Sequence, residues 1–213
     1  MFRKILLGAV LLAGSVAANA NVILNEGFDD ITSLSASGWV QFNNSTPGGT
    51  TGWFQGNTGV FSADSGAADS YIAANFDNAP LGGNVDNWLI TPVFHIDEGS
   101  LISFATRTAD AGLGDNLQLL YSLGGTAASD FFSIGTLTSD VYPVDWTNLT
   151  LLSGISSDVR IAFRYLVTNT AVSGDYIGID TFKVDVPEPG VLALFGVALL
   201  LMALTMRRRR AQI

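Results

Sequence analysis

Hydrophobic and polar residues alternate along the middle of the chain in short runs, separated by clusters of Gly, Ser, Thr, Asn and Asp. The clearest alternation covers residues 159–167, where apolar side chains occupy every second position and Arg160 and Arg164 lie on the opposite face. A period of two residues is typical of a strand with one buried face. No window carries a 3.6-residue period, so the pattern predicts strands rather than helices.

The pattern predicts nine strands. They cover residues 39–42, 71–76, 88–91, 101–107, 116–122, 132–137, 149–152, 159–167 and 176–184. Short strands separated by turn signals favour an all-β fold, a two-sheet β-sandwich of the jelly-roll type. The sequence contains no internal repeat of the length that propellers and solenoids require.

Residues 1–20 form an apolar leader. Arg3 and Lys4 are followed by the apolar run 5–12, and Ala18-Asn19-Ala20 places small residues before a cleavage point. This order predicts a secretory signal peptide, so that the mature chain begins at residue 21. An N-terminal membrane anchor is the alternative, which the short apolar run disfavours.

A second apolar run, residues 191–206, carries no charge and ends at the cluster Arg207–Arg210. Its 16 residues span roughly 24 Å as a helix, against a hydrocarbon core of ~30 Å. Including Gly190 and the arginine stems makes up much of the difference. We therefore expect a transmembrane helix at about 190–206, with the arginine cluster in the cytoplasm. A buried core helix is the alternative, disfavoured by the four arginines that end the run.

The segment before this run is Val186-Pro187-Glu188-Pro189-Gly190. Two prolines around a glutamate cannot continue a strand or a helix. Together with the apolar run and the arginines, the segment resembles the PEP-CTERM sorting signal. The resemblance implies that Pro187, Glu188 and Pro189 are recognised by an exosortase, a membrane-embedded transpeptidase of Gram-negative bacteria that make exopolysaccharide. Residues 187–213 would then be a sorting tail.

The resemblance also implies a route for the protein. The chain would be held for a time in the inner membrane, with its domain outside the cytoplasm. It would then reach the cell surface or the extracellular matrix of a Gram-negative bacterium.

Charge is unevenly distributed. The whole chain carries −9, but residues 21–186 hold 18 acidic residues against 4 basic ones, a net charge of −14. Such a domain is a poor partner for nucleic acid, whose phosphates require a basic surface. The chain lacks cysteine, which excludes disulfides and thiolate chemistry. Its single histidine, His95, lies in an apolar stretch and is interpreted as a strand residue rather than a catalytic base.

Several different short motifs follow one another along residues 25–185. They are Asn25–Asp29, Gly38-Trp39, Asn87–Pro92, Leu101–Phe104, Asp115–Ser122, Trp146, Ile161–Tyr165 and Gly178–Asp180. The set resembles the choice-of-anchor J domain, similar to the cleaved-adhesin domains of secreted bacterial proteins. The resemblance implies that residues 21–186 form a non-catalytic jelly-roll sandwich like those of carbohydrate-binding modules and MAM domains.

The same resemblance implies a structural calcium site. An acidic residue near the first strand and one near the last bind Ca²⁺ in related jelly rolls, and the matching positions here are Glu26, with Asp29 nearby, and Asp180. Calcium takes six to eight oxygen ligands, so backbone carbonyls would complete the site.

The alternation of the last predicted strand makes Asp180 notable in its own right. By strict alternation it shares a face with Phe182 and Val184. A carboxylate in an apolar row must be paired, metal-bound or placed at a bulge, because burying it alone is costly. A bulge, or pairing with Arg160 or Arg164, is the alternative to calcium.

Tryptophans are the candidate sugar platforms, because an aromatic ring packs on the C–H face of a sugar. Trp53 lies among glycines and threonines, and we expect it to be exposed as a possible glycan contact; a loop plug over the sandwich is the alternative. Trp88 and Trp146 lie in or beside apolar strand patterns and are expected in the core.

These features predict a secreted, non-enzymatic β-sandwich of the cell surface or the exopolysaccharide and biofilm matrix. Its partners would be the exosortase and an extracellular polysaccharide or surface glycan, with a role in adhesion. A secreted glycan-active hydrolase that uses a carboxylate pair is the alternative. An ice-binding protein is the third hypothesis, supported only by two separate Thr-x-Thr segments at 136–138 and 168–170.

Overall fold

The computed structural model describes residues 21–186. The predicted signal peptide, sorting tail and transmembrane helix lie outside the described residues. Residues 21–186 belong to one compact unit. Within the described range, no helix is both long enough and apolar enough to cross a membrane.

Twelve strands make up the described domain. They are β1 (Asn21–Glu26), β2 (Val40–Asn43), β3 (Phe54–Gln55), β4 (Ile72–Asn75), β5 (Val85–Ile90), β6 (Phe94–Ile96), β7 (Leu101–Thr108), β8 (Asn116–Ser122), β9 (Phe132–Leu137), β10 (Thr147–Leu152), β11 (Ser157–Val167) and β12 (Tyr176–Val186). Three single-turn 3₁₀ helices lie at Ile31–Ser33, Phe76–Asn78 and Ala128–Asp130.

The strands form two antiparallel sheets. Sheet I has the order β10-β7-β12-β4-β3, with β1 also paired to β12. Sheet II has the order β2-β5-β11-β8-β9, with β6 also paired to β11. The predicted all-β, two-sheet sandwich is therefore confirmed.

All nine predicted strands are present, within a few residues of their expected ends. Three observed strands, β1, β3 and β6, were not among the predictions. Two of them contain only two or three residues, too few to show a period. The third, β1, reads Asn-Val-Ile-Leu-Asn-Glu, an apolar triplet without alternation.

The core lies between the sheets and is centred on β11. The alternating residues of this strand, from Val159 to Val167, are all buried, as the period predicted. Phe163 meets sheet I through edge-to-face contacts with Phe104, at 4.9 Å between ring centroids, and with Phe182, at 5.7 Å. Such aromatic pairs each add to the stability supplied by burial of their area.

One lateral edge of the sandwich is closed by the segment 27–39, which leads from β1 in sheet I to β2 in sheet II. Phe28, Leu34 and Trp39 point inward from this segment and are buried. Trp39 packs edge-to-face on both Phe28 and Phe182, so it joins the crossing segment to the core.

The outer face of sheet I carries a second apolar cluster, in which Phe61, Tyr71, Tyr176 and Trp146 pack on one another. The loop 56–71 supplies the first two rings. Gly178 lies beneath them, and a Cβ there would come within 2.8 Å of the Trp146 ring. Glycine at this position therefore allows the cluster to lie directly on the sheet.

Strand β12 contains a one-residue bulge. Ile177 and Ile179 face the core, but the next core residues are Phe182 and Val184, and the pairing with β7 shifts between Asp180 and Lys183. The extra residue reverses the alternation. Asp180 therefore does not share the face of Phe182 and Val184, which corrects the prediction from strict alternation.

Candidate functional site

The outer face of sheet II carries a row of side chains that crosses five strands in register. From β2 to β9 the row runs Phe42, Trp88, Arg164, Gln118, Thr136, each paired directly with the next. Directly opposed residues of antiparallel strands point to the same face. The alternation in β11 that buries its odd-numbered residues therefore places Arg164 at the centre of this row.

Arg164 is held by its neighbours on three sides. Its Nε and Nη2 donate to the two carboxylate oxygens of Asp86, at 2.6 and 2.8 Å, and its Nη1 donates to Gln118 Oε1 at 3.3 Å. Its Cζ lies 4.9 Å from the centre of the Trp88 ring. The hydrogen bonds to Asp86 raise the pKa of Arg164. This bidentate pair is a fixed dipole at the surface.

Trp88 forms the apolar floor beside this pair. It is buried, as expected, between Phe42, stacked at 5.5 Å, and Phe131, tilted at 5.5 Å. Its indole Nε1 has no hydrogen-bond partner among the described residues. The ring supports Arg164 and is not open to stack on a ligand.

A polar groove of about 500 Å³ opens beside the ion pair. Its lining is dominated by amide, hydroxyl and paired charged groups, and comprises Asn44, Thr46, Asn84, Val85, Asp86, Asn116, Thr136, Arg164, Leu166, Val167 and Thr168. Asn44 and Thr168 are exposed there. The groove brings together residues from four strands and three loops. Of these the sequence had singled out only Arg164, as a partner for Asp180, and Thr136 and Thr168, in the two Thr-x-Thr segments.

Trp53, the predicted glycan contact, is buried, with 6% of its surface exposed. It belongs to the main core between the sheets. The expectation that Trp53 is exposed is wrong. The structure agrees with the alternative, in which Trp53 is a loop residue that closes the sandwich. Trp146 is half-buried in the outer cluster and donates from Nε1 to the Ser62 carbonyl at 2.7 Å.

Asp180 is fully buried at the bulge of β12. Its Oδ2 accepts the backbone N–H groups of Asp64 and Ser65 at 2.9 and 3.0 Å, and its Oδ1 accepts that of Thr181 at 2.6 Å. Thr181 has a φ of 49°, a left-handed conformation that is unusual for a β-branched residue. The carboxylate therefore fastens the loop 56–71 to the sheet. Neither Arg160 nor Arg164 takes part.

The other two predicted calcium ligands lie close to Asp180. Glu26 is paired in register with Phe182, two residues from Asp180, and its Oε1 accepts the N–H of Phe28 at 2.8 Å. Asp29 lies against Gly66, where a Cβ would be 3.3 Å from its Oδ1. All three residues therefore lie near the point where the strand paired with β12 changes from β4 to β1.

The groups around Asp180 do not suit calcium. Calcium requires oxygen atoms directed at it, but the groups directed at the Asp180 carboxylate are three N–H donors. No three carboxylate or imidazole side chains of residues 21–186 lie together in a metal-binding arrangement. In this arrangement Asp180 is not suited to act as a calcium ligand. The sequence prediction that Glu26 and Asp29 bind calcium is addressed by the thermal unfolding experiment below.

His95 lies in the short strand β6, as interpreted from the sequence, but its side chain is exposed. Its Nδ1 lies 2.7 Å from Asp158 Oδ1, and this hydrogen bond raises the pKa of His95. Its neighbours include no serine or other nucleophile within hydrogen-bond contact in the described domain. The residue forms a surface pair.

Comparison with known proteins identifies the C-terminal segment. Residues 185–210 match the PEP-CTERM protein-sorting motif. The chain carries a PEP-CTERM sorting signal. The matched range includes Pro187, Glu188 and Pro189, which lie outside the described residues. The motif indicates an exported, sorted protein.

The domain is similar in structure to two cleaved adhesin domains of Lys-gingipain from Porphyromonas gingivalis W83. For the K3 domain the TM-score is 0.59 at 20% identity, covering 78% of this chain and 99% of that one. For the K1 domain the TM-score is 0.56 at 22% identity, covering 77% and 98%. These matches confirm the adhesin-like fold. No curated protein sequence matches the chain.

We expect Asp180 to make the stability of the domain depend on pH. Burial raises its pKa to about 6 from an ordinary 3.8. The folded chain then keeps this proton up to about pH 6, whereas the unfolded chain loses it near pH 4, so stability falls as pH rises between them. In urea titrations of the full chain, Asp180→Asn should reduce this fall by roughly 1–3 kcal/mol.

The control is Asp140→Asn, which removes an exposed carboxylate from the loop between β9 and β10. It should leave the pH dependence of the unfolding free energy as in the natural chain. Equal slopes for the natural chain and Asp180→Asn would contradict a raised pKa at Asp180.

We expect the melting temperature to be the same in calcium and in EGTA, because N–H donors already satisfy Asp180. Thermal unfolding of the full chain, followed by circular dichroism at constant ionic strength, measures this. A calcium-dependent rise that disappears in Glu26→Gln would instead show that the loop rearranges around a bound ion.

Proposed function

We propose that this exported protein binds an extracellular polysaccharide or surface glycan through the polar groove of sheet II, and that it does so without catalysing a reaction. The observation that carries the proposal is the groove itself. It presents exposed amides and hydroxyls around the fixed Asp86–Arg164 pair.

The chemistry of the lining suits sugar hydroxyls. Each hydroxyl of a sugar is both donor and acceptor, so it is best satisfied by side chains that also offer both. Asn44, Asn84 and Thr168 can both donate and accept. An ammonium group can only donate, and an ionised carboxylate can only accept. The volume of the groove, about 500 Å³, lies in the range of small-molecule binding sites.

A hydrolytic function is less well supported. Glycosidases that act through two carboxylates hold them on either side of the scissile bond. Asp86 is the single carboxylate among the residues that line this groove, all of them in the described part of the chain. Both of its oxygens already accept hydrogen bonds from Arg164.

The sorting tail and the groove together suggest where binding takes place. The PEP-CTERM motif directs the chain to export, and we propose the exosortase as the partner that processes its tail. The released domain would act at the cell surface or in the exopolysaccharide matrix. Its net charge of −14 over residues 21–186 favours neutral glycans over anionic ones, since like charges repel.

Binding to a glycan array tests the proposal. The full chain should bind neutral glycans without releasing products. The double variant Asn44→Ala with Thr168→Ala should weaken binding by about thirtyfold, because it removes two hydrogen-bonding groups worth ~1 kcal/mol each.

Asn148→Ala is the matched control, because Asn148 is also exposed but lies on β10 of sheet I. It should bind like the natural chain. Equal losses in both variants would place the binding surface elsewhere. Shortened sugar products that disappear in Asp86→Asn would establish a hydrolase instead.

Tail processing is tested by the intact mass of the mature protein from its native host. We expect a C-terminus near Pro187 and the loss of Arg207–Arg210, because the sorting motif covers residues 185–210. A Pro187→Ala, Pro189→Ala variant should keep its arginines. A natural protein that retains all four arginines would contradict processing by an exosortase.

A further inference from the structure

The second lateral edge of the sandwich, between β9 and β10, is open. Two adjoining cavities of about 270 and 200 Å³ follow this edge, and Ile134 lines both. Leu149 and Leu151 of β10 form the wall on the side of sheet I. We call this feature the edge cleft. The loop 138–146 crosses between the sheets at one end of the cleft and buries Tyr142 in the core, and the two cavities lie beyond it along the edge.

The edge cleft exposes apolar side chains. Phe132 and Ile134 of β9 are 59% and 40% exposed, and Leu152 of β10 is 70% exposed. Exposed large apolar residues are ordinary when single, but a contiguous set beside a cavity marks an interaction surface.

The backbone of β10 is available for pairing. Within the described residues β10 pairs with β7 alone, so its other side is a free edge. All six of its residues, Thr147 to Leu152, are in regular register with β7. Natural edge strands are commonly protected from pairing by charge, proline or a bulge, and β10 has none of these in its sequence or its register.

The facing strand β9 differs in this respect. Its pairing with β8 shifts at Leu119 and Leu120, which leaves Ile134 as an extra residue. This bulge breaks the row of hydrogen-bonding groups along β9. Consequently β10 is the edge that can accept a strand, and β9 provides side-chain contacts.

Gly135 contributes to the depth of the edge cleft. It lines the larger cavity, and a Cβ placed on it would meet no atom within 4 Å. The space beside it is large enough for an apolar side chain from another molecule.

Charge at the two ends of the edge cleft points to the nature of the occupant. Asp140 and Asp145 lie in the loop 138–146, at one end. Asp97 and Glu98 lie in the turn at the other end, which is hydrogen-bonded to Ser153 of the cavity wall. All four are exposed. The cleft is thus uncharged along its length and acidic at both ends.

We propose that the edge cleft binds an extended peptide segment of another protein, which adds to β10 as an antiparallel strand. Its apolar side chains, at alternating positions, enter the two cavities. Basic residues at its ends meet the acidic groups. Six residues of strand span ~20 Å, the length of β10, and recognition by strand addition combines backbone hydrogen bonds with side-chain pockets in this way.

A second copy of this chain is a poor occupant. Each domain carries −14 over residues 21–186, and β10 itself has no basic residues to place against the acidic ends of another cleft. Repulsion between two such domains opposes the pairing. A strand flanked by lysine or arginine is instead attracted to the acidic ends of the cleft.

The test uses the full chain in lipid nanodiscs and a fluorescent peptide of alternating threonine and valine with lysine at both ends. Fluorescence anisotropy should show binding to the natural chain. Gly135→Leu fills the larger cavity and Thr150→Lys places a charge on β10, and each should weaken binding by about tenfold. A peptide with glutamate in place of lysine should bind more weakly.

Leu81→Lys is the matched control, because Leu81 is an exposed apolar residue, 84% exposed, in a loop outside the cleft. It should bind the peptide as the natural chain does. Thermal melting checks folding, and Gly135→Leu should melt no lower than the natural chain, since its Cβ has open space.

Three results would overturn the proposal. The first is no binding of the lysine-flanked peptide. The second is equal binding by the natural chain, Gly135→Leu and Thr150→Lys. The third is dimerisation of the natural chain that these two variants abolish in sedimentation, which would assign the edge cleft to a second copy.

Discussion

The bulge at Asp180 is the constraint on which much of the sandwich depends. An extra residue in β12 keeps Ile177, Ile179, Phe182 and Val184 on the core face, although strict alternation would turn the last two outward. At the same point β4 ends and β1 begins as the neighbour of β12. The buried carboxylate accepts three backbone N–H groups, and these hydrogen bonds stabilise the irregular geometry.

The two lateral edges of the sandwich differ in how completely they cover the core. On one, the segment 27–39 crosses between the sheets and inserts Trp39, so the core is sealed there. On the other, β9 and β10 remain apart and apolar cavities lie between them. A stable fold needs only that enough area be buried in total. The open edge is therefore a feature that stability alone does not require, and it is the reason for considering this edge as an interaction surface.

The domain has few basic residues, and each of them occupies a specific position. With only four basic residues in the described range, the position of each has consequences. Arg164 lies between Asp86 and Trp88 at the centre of sheet II, and Arg160 donates to the Thr91 carbonyl at 2.6 Å. Lys183 pairs with Asp185 at 3.0 Å, and the Cζ of Arg107 lies 4.2 Å from the centre of the Phe61 ring. The cations are thus engaged within the domain, and the remaining acidic surface faces the solvent.

The sequence by itself determined the fold class, the strands of the core and the sorting signal, because period-two alternation and the Pro-Glu-Pro tail are local patterns. It also identified Asp180 as unusual, since a carboxylate among apolar residues needs a partner. Tertiary structure decided the rest. The bulge, the burial of Trp53, the polar groove and the edge cleft depend on which strands become neighbours and in what register, and contacts between residues so distant along the chain leave no local pattern.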